Sequence, residues 1–235
     1  MSQTPGFENR YLRNEPSISA NEQRKLAAKT VCVCGCGGIG GYVVEALARL
    51  GIGRIIAIDP DCFEATNLNR QLFSNEGNLG QAKAVAARQR IAQINSQVDV
   101  VAACEAITEA NAGELLSGCD VVIDALDSAE TRLDLERWCT QAGKPLVHGA
   151  ISGWNAQVTA IAPESKSLSK IYPSSTAPDT GEVDCAPGSP AFTPMLAASL
   201  EVTECVKVLL GKGDALYGKL LVIDLLRSSW RIIDL

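Results

Sequence analysis

The feature that most restricts this chain is a glycine-rich turn, Gly35-Cys36-Gly37-Gly38-Ile39-Gly40. It lies between an apolar run ending at Cys34 and a helical-period stretch from Tyr42 to Leu50. In a G-x-G-x-x-G turn each glycine has its own task. Gly35 allows the tight turn, Gly37 lets backbone approach a phosphate, and Gly40 lets the helix pack on the sheet. The helix N-terminus behind the turn favours anions through unpaired N–H groups and its dipole. A second apolar run, Arg54 to Ile58, ends in Asp59. It lies about 20 residues further on, where an acid takes a ribose hydroxyl pair. By itself this fingerprint specifies an adenine nucleotide and nothing finer.

The rest of the chain alternates in the same way. Ser19 to Glu22 is a capping box opening a helix through Leu26, and Thr30 to Cys34 is a buried-type strand. Gly51 stops the first long helix. Residues 60–79 are loop-like, and Gln81 to Ile94 is helical. Strands at Val98 to Ala103, Asp120 to Ala125 and Pro145 to Gly149 flank helices near Ala110 to Leu116 and 129–142. This is the β-α alternation of an α/β fold with a Rossmann-like, doubly wound, mainly parallel sheet. After residue 150 the pattern changes. A half-buried strand at Gln157 to Ala162 precedes a Ser-, Pro- and Gly-rich stretch over 163–190, read as a mobile loop. A helix over 195–210 follows, and then strands at Leu220 to Asp224 and Trp230 to Ile233, additional antiparallel strands in the C-terminal part.

Composition narrows the function. The chain has 235 residues, which suits one large α/β domain with a sizeable core. Its net charge of −6 argues against nucleic acid as a main ligand. Met1 to Asn14 does not read as a signal peptide, and no apolar run is of membrane-spanning length; the reading is cytoplasmic, with no membrane partner. The nine cysteines are then expected to be reduced thiols, and no pair has C-x-x-C spacing. Cys32 and Cys34 alternate as small buried residues of a strand. The one histidine, His148, follows a buried strand and reads as a satisfied core group.

The polar residues beyond the turn point past a dinucleotide. Asp59 and Asp61 are followed by Asn67-Leu68-Asn69-Arg70-Gln71 and by Gly80-Gln81-Ala82-Lys83. Asn67, Arg70 and Lys83 can converge on one polyphosphate, Arg by planar contacts and Lys as a point charge. A pyrophosphate held by glycine N–H groups does not need two extra cations, but a triphosphate does. Asp124-Ala125-Leu126-Asp127 ends the fourth strand, at the side of an open α/β sheet where ligands bind. A carboxylate there, near a triphosphate, reads as a Mg²⁺ ligand. Asp127 and Ser128 can also both cap helix 129–142.

These motifs, together with Arg10-Tyr11-Leu12-Arg13, occur in the order and at the spacing of the ThiF/MoeB/HesA family, which the whole chain resembles. The family comprises bacterial relatives of the ubiquitin-activating enzymes. The resemblance implies ATP and Mg²⁺ bound by one subunit of a homodimer. Asp59 would hold the ribose, Asn67, Arg70 and Lys83 the phosphates, and Asp127 the metal. Arg13 matches the arginine that reaches into the partner's site. The expected nucleotide-binding set is Gly35, Gly37, Gly38, Gly40, Asp59, Asp61, Asn67, Arg70, Gln71 and Lys83. The expected catalytic set is Arg13, Arg70, Lys83, Asp127 and Cys185. The resemblance also divides the single adenylation domain, 1–235, into a nucleotide-binding half, 7–150, and a carrier-binding half, 151–235, the latter with the crossover loop.

Many family members carry two C-x-x-C pairs that hold structural zinc. Ser169-Lys170-Ile171-Tyr172 stands near the first position here, and Arg227 to Leu235 has no cysteine, so no zinc site is expected. Cys185 falls where members place a cysteine used in sulfur or thioester chemistry; an incidental loop thiol is the other reading. The favoured function is ATP-dependent adenylation of the Gly-Gly carboxylate of a ubiquitin-like sulfur-carrier protein. The alternatives are a tRNA threonylcarbamoyladenosine dehydratase-like enzyme adenylating a carboxylate on tRNA, an NAD-binding oxidoreductase, and a nucleotide-binding scaffold without catalysis.

Overall fold

The computed structural model describes residues 10–173 and 188–235. The chain enters through a 3₁₀ turn, Leu12–Asn14, and helix α1, Ala20–Ala27. Ser19 caps α1 with the reciprocal Glu22 contact expected of a capping box. Four β-α units follow: β1 Thr30–Cys34 and α2 Gly38–Leu50, β2 Arg54–Ile58 and α3 Lys83–Ile94, β3 Asp99–Ala103 and α4 Ala112–Ser117, and β4 Val121–Asp124 and α5 Ala129–Ala142. The remainder is β5 Leu146–Ser152, β6 Asn155–Ile161, the short helix α6 Leu168–Ile171, α7 Phe192–Leu210, β7 Lys219–Asp224 and β8 Ser229–Asp234.

The strands form one sheet in the order β3-β2-β1-β4-β5-β6-β7-β8. The pairs from β3 to β5 are parallel, and those from β5 to β8 are antiparallel. The fold is therefore the expected one, and no break in the sheet separates the two halves of the chain. Period-2 alternation sorts β1 between two cores. Val31 and Val33 face α2, α3 and α7, while Cys32 and Cys34 face α4 and α5 beside Leu135 and Cys139. The neighbouring Cys32 thiol and burial push Cys34 well above the usual thiol range. It is a packing residue and not a nucleophile. No helix among the described residues is long and apolar enough to cross a membrane.

Two features depart from the sequence reading. The composition of 163–190 reads as loop throughout, yet the stretch contains α6. That helix is capped from a distance: the buried Glu136 carboxylate on α5 accepts the N–H groups of Ser167 and Leu168 at 2.7 and 2.9 Å. A cap drawn from more than thirty residues away leaves no local signal. Helix α7 also begins before Pro194 rather than after it. Proline is tolerated in a first helical turn, where its missing N–H has no intrahelical role.

Glu201 on α7 is fully buried, and both its carboxyl oxygens lack hydrogen-bond partners among the described residues. It lies so close over Gly149 of β5 that a Cβ there would sit 2.6 Å from its Cδ. Burial, followed by the Asp124 charge, raises its pKa well above the usual 4.5. A carboxyl raised in this way stabilises the fold fully below the unfolded value and loses that contribution as pH rises toward the folded one. Each pH unit in that window costs about 1.4 kcal/mol. Glu201→Met removes the titrating group, so its melting temperature should climb relative to wild type between pH 5 and pH 8. A difference that stays flat across this range would contradict the assignment.

Candidate active site

A cleft of about 480 Å³ opens over the carboxyl ends of β1 and β4. Successive strands run outward in opposite directions from this point, the usual ligand crevice of an open α/β sheet. The glycine turn forms its floor. The Gly35 N–H donates to the Ile58 carbonyl at 2.8 Å. Gly35 has φ +98°, and a Cβ there would approach the Ala125 carbonyl oxygen to 2.5 Å. Only glycine meets both conditions without strain.

Asp59 has a duty that the spacing did not disclose. One of its carboxylate oxygens accepts the Cys36 N–H at 2.7 Å and the other the Asp61 N–H at 2.8 Å. It therefore pins the glycine turn to the loop after β2. Burial raises its pKa against these two bonds. Each oxygen keeps a lone pair for a further donor, and Asp59 lines the cleft.

The loop from Pro60 to Ala82 closes on itself. Phe63 and Gln81 exchange a backbone bond, as do Gly80 and Phe63. The Lys83 N–H then donates to the Asp61 carbonyl, and the Lys83 ammonium pairs with the Asp61 carboxylate at 2.8 Å. This buried lysine opens α3, where the helix dipole disfavours a cation; the Asp61 pair offsets that. Arg70 lays its stem over Gly38 at the start of α2. Its Nη1 donates to the Thr66 carbonyl and to Asn69, while Nε and Nη2 have no partner among the described residues. Gln71 is buried in the cleft wall, and its amide oxygen has no partner among the described residues.

Asp127 stands at the opposite lip and is exposed. Of the two possible caps for α5 the structure selects Ser128, whose hydroxyl accepts the Thr131 N–H at 3.1 Å. Among the described residues the Asp127 carboxylate has no hydrogen-bond or ion-pair partner. Such a carboxylate suits Mg²⁺, which takes oxygen ligands and is commonly held by one or two carboxylates plus substrate phosphates.

Nine expected residues thus share one cleft: Gly35, Gly37, Gly38, Asp59, Asp61, Arg70, Gln71, Lys83 and Asp127. Gly40 sits behind the floor, packed on the turn. Asn67 is not in the cleft wall; its side-chain oxygen accepts the Glu64 N–H at 3.0 Å and caps a 3₁₀ turn. Arg13 is exposed and does not line the cleft of its own chain. Cys185 lies outside the described residues. The sequence reading missed Arg132, which lines the cleft from the first turn of α5. The signal was available: a cation at a helix N-terminus works against the dipole and needs a reason.

The sequence profile of the ThiF family matches residues 10–235. The "SAMP-activating enzyme E1" of Haloferax volcanii is 33% identical over 228 residues, spanning 95% of this chain and 84% of that protein. The "Sulfur carrier protein adenylyltransferase" of Thermus thermophilus is 33% identical over 222 residues, spanning 92% and 82%. The chain spans 49% of the length of another relative, the bovine "Adenylyltransferase and sulfurtransferase MOCS3". Among solved structures, the Escherichia coli tRNA N6-threonylcarbamoyladenosine dehydratase TcdA in complex with AMP superposes with a TM-score of 0.75. It is 25% identical, and the match covers 90% of this chain and 98% of that one.

Proposed function

The chain belongs to the ThiF family, and from that premise we propose that it uses Mg²⁺-ATP to adenylate the C-terminal Gly-Gly carboxylate of a ubiquitin-like sulfur-carrier protein. The observation that carries the reading is the meeting of Arg70, Lys83 and Asp127 with the glycine turn in one cleft. Two cations and a carboxylate with no partner among the described residues suit a metal–triphosphate better than a dinucleotide. The names borne by the Haloferax and Thermus relatives support the carrier as acceptor.

The chemistry needs no general base, because the attacking carboxylate is ionised near neutral pH. A carboxylate oxygen bonds to the α-phosphorus, and the bond to the bridging α–β oxygen breaks. Pyrophosphate leaves with that electron pair. The protein's task is positioning and charge stabilisation. The turn's N–H groups and the α2 N-terminus would receive phosphate. Arg70 would offer the free side of its guanidinium, and Lys83 its ammonium, kept in place by Asp61. Asp59 and Gln71 would orient the nucleoside end, and Asp127 would hold Mg²⁺. When bound, the metal neutralises charge on the phosphates and the departing pyrophosphate. Arg13, exposed near the N-terminus, would complete the site of a second copy in a homodimer, and residues 151–235 would receive the carrier. Cys185 would act after adenylation, and zinc would have no role. A cytoplasmic enzyme is the setting these parts fit.

The TcdA likeness supports a second acceptor, a carboxylate on tRNA. The net charge of −6 disfavours a large phosphate footprint. The deciding experiment is exchange of labelled pyrophosphate into ATP, with Gly-Gly carriers in one arm and tRNA in the other. Carrier-dependent exchange eluting at dimer mass is expected. Exchange that needs tRNA would replace the acceptor, and none in either arm would end the adenylation reading.

A further inference from the structure

Behind the cleft lies a polar ring that the proposed chemistry does not use. The buried Asp124, at the end of β4, accepts the Leu126 N–H at 3.0 Å on one carboxylate oxygen. Its other oxygen is 2.7 Å from Nδ1 of the fully buried His148. Nε2 of His148 lies 3.2 Å from the Tyr172 hydroxyl. The Tyr172 oxygen also accepts from Arg132 Nη1 and from Gln157 Nε2, each at 2.9 Å. The ring closes where it began: Arg132 Nε and Nη2 both donate to the Leu126 carbonyl, at 3.1 and 2.6 Å.

One proton arrangement satisfies every contact. The Tyr172 oxygen already accepts two N–H groups, so its own proton goes to Nε2 of His148. His148 then donates through Nδ1 to Asp124. Both ends of the ring are thus the N–H and C=O of a single residue, Leu126, which immediately precedes Asp127. Members of such a hydrogen-bonded network, anchored on the buried Asp124 and His148, hold one another in place.

We propose that this ring is a positioning device, with Arg132 and Tyr172 as its outer members, that fixes the Leu126 backbone and thereby holds Asp127 toward the metal–nucleotide. The inference rests on the reading of Asp127 as a Mg²⁺ ligand. Arg132 touches the cleft, but three of its N–H bonds are committed to the ring. Tyr172 follows α6 in sequence, so the ring also ties that helix to the lip of the cleft.

Partners behind a metal ligand commonly change metal affinity by about tenfold or more when removed. Tyr172→Phe is expected to raise the Mg²⁺ concentration for half-maximal pyrophosphate exchange about tenfold. The KM for ATP at saturating Mg²⁺ should move less than about twofold, because the glycine turn, Arg70 and Lys83 are untouched. Arg132→Lys keeps the charge but cannot bridge Leu126 and Tyr172, and should shift the Mg²⁺ midpoint in the same direction. In an Asp127→Asn background, Tyr172→Phe should add no further shift, since both changes act on one contact. A general packing defect would act in both backgrounds.

A measurement without turnover runs beside these. ATP is added with Mg²⁺ or with EDTA, and the rise in melting temperature is compared. The Mg²⁺-dependent part should shrink in Tyr172→Phe and in Arg132→Lys. If wild type shows that part but no exchange with any acceptor, the adenylation reading falls while the ring is still judged by the thermal shift. A Mg²⁺ midpoint and Mg²⁺-dependent shift in Tyr172→Phe within twofold of wild type would overturn the ring's role. So would additive effects with Asp127→Asn. Wild type without any Mg²⁺-dependent shift would overturn both ideas.

Discussion

Asp127→Ala is expected to lower carrier-dependent pyrophosphate exchange by on the order of 10³-fold while leaving the fold intact. The two halves of this result come from the same observation. Asp127 lines the cleft, is exposed, and has no partner among the described residues. The cap of α5 is made by Ser128. Among the described residues nothing in the packing depends on the Asp127 side chain, which there gains a charge near the α5 N-terminus, worth about 0.3–1 kcal/mol. The reaction, by contrast, brings a carboxylate against a highly charged triphosphate. Removing the group proposed to hold the neutralising cation acts on the transition state far more than on the free enzyme. The melting temperature should fall by no more than about 4 °C for a chain of this size. Exchange within tenfold of wild type at saturating Mg²⁺ would remove Asp127 from the proposed machinery, whatever the metal content. A collapse in stability would show that the side chain has a structural duty.

The contrast between Asp127 and Arg132 shows where sequence reading succeeds. The glycine turn, the alternation of strands and helices, and an acid at the end of β2 are local. Each is written in consecutive residues whose periodicity or backbone freedom has one physical meaning. Residue types in the cleft were legible for the same reason, because a strand's end in an α/β sheet is where its following loop meets ligand. Side-chain direction was not. Asn67 belongs to the right loop, but its side chain turns to the Glu64 N–H, a competition between short polar side chains and backbone that sequence leaves open. Asp59 was placed correctly in the cleft, while its two backbone bonds depend on how the turn after β1 meets the loop after β2. The ring through His148 joins residues of β4, β5, β6, α5 and the end of α6. Reading His148 as a satisfied core group was sound as far as it went. Its partners, 24 residues away on either side, are fixed only by the sheet order and by the distant cap on α6.

Gly40→Ala should be the most damaging of the small substitutions in the turn, and Gly41→Ala, one residue on, among the mildest. A Cβ at Gly40 would lie 1.8 Å from the Gly35 carbonyl oxygen, 2.7 Å from its carbon and 3.2 Å from the Ala125 Cβ. The nearest two are backbone atoms of the turn, which no rotamer change can move. To admit a methyl group, α2 must lift away from the turn and disturb its packing against α7. Overpacking of this kind costs about 3 kcal/mol or more, equivalent to roughly 6–12 °C in melting temperature for a chain this long. Because the same helix end is proposed to receive phosphate, protection by ATP should fall with it. A Cβ at Gly41 meets only the Leu72 Cβ and N and the Cys36 carbonyl, at 3.6–3.7 Å, an ordinary contact distance. There the loss of unfolded-chain entropy favours alanine by about 0.4–1 kcal/mol, and Gly41 does not line the cleft. The pair therefore separates close approach of helix and turn from any general need for glycine in α2. Melting curves for both variants decide it: if Gly40→Ala melts within about 2 °C of wild type, the helix is not held against the turn as the structure has it, and the floor of the cleft must be redrawn.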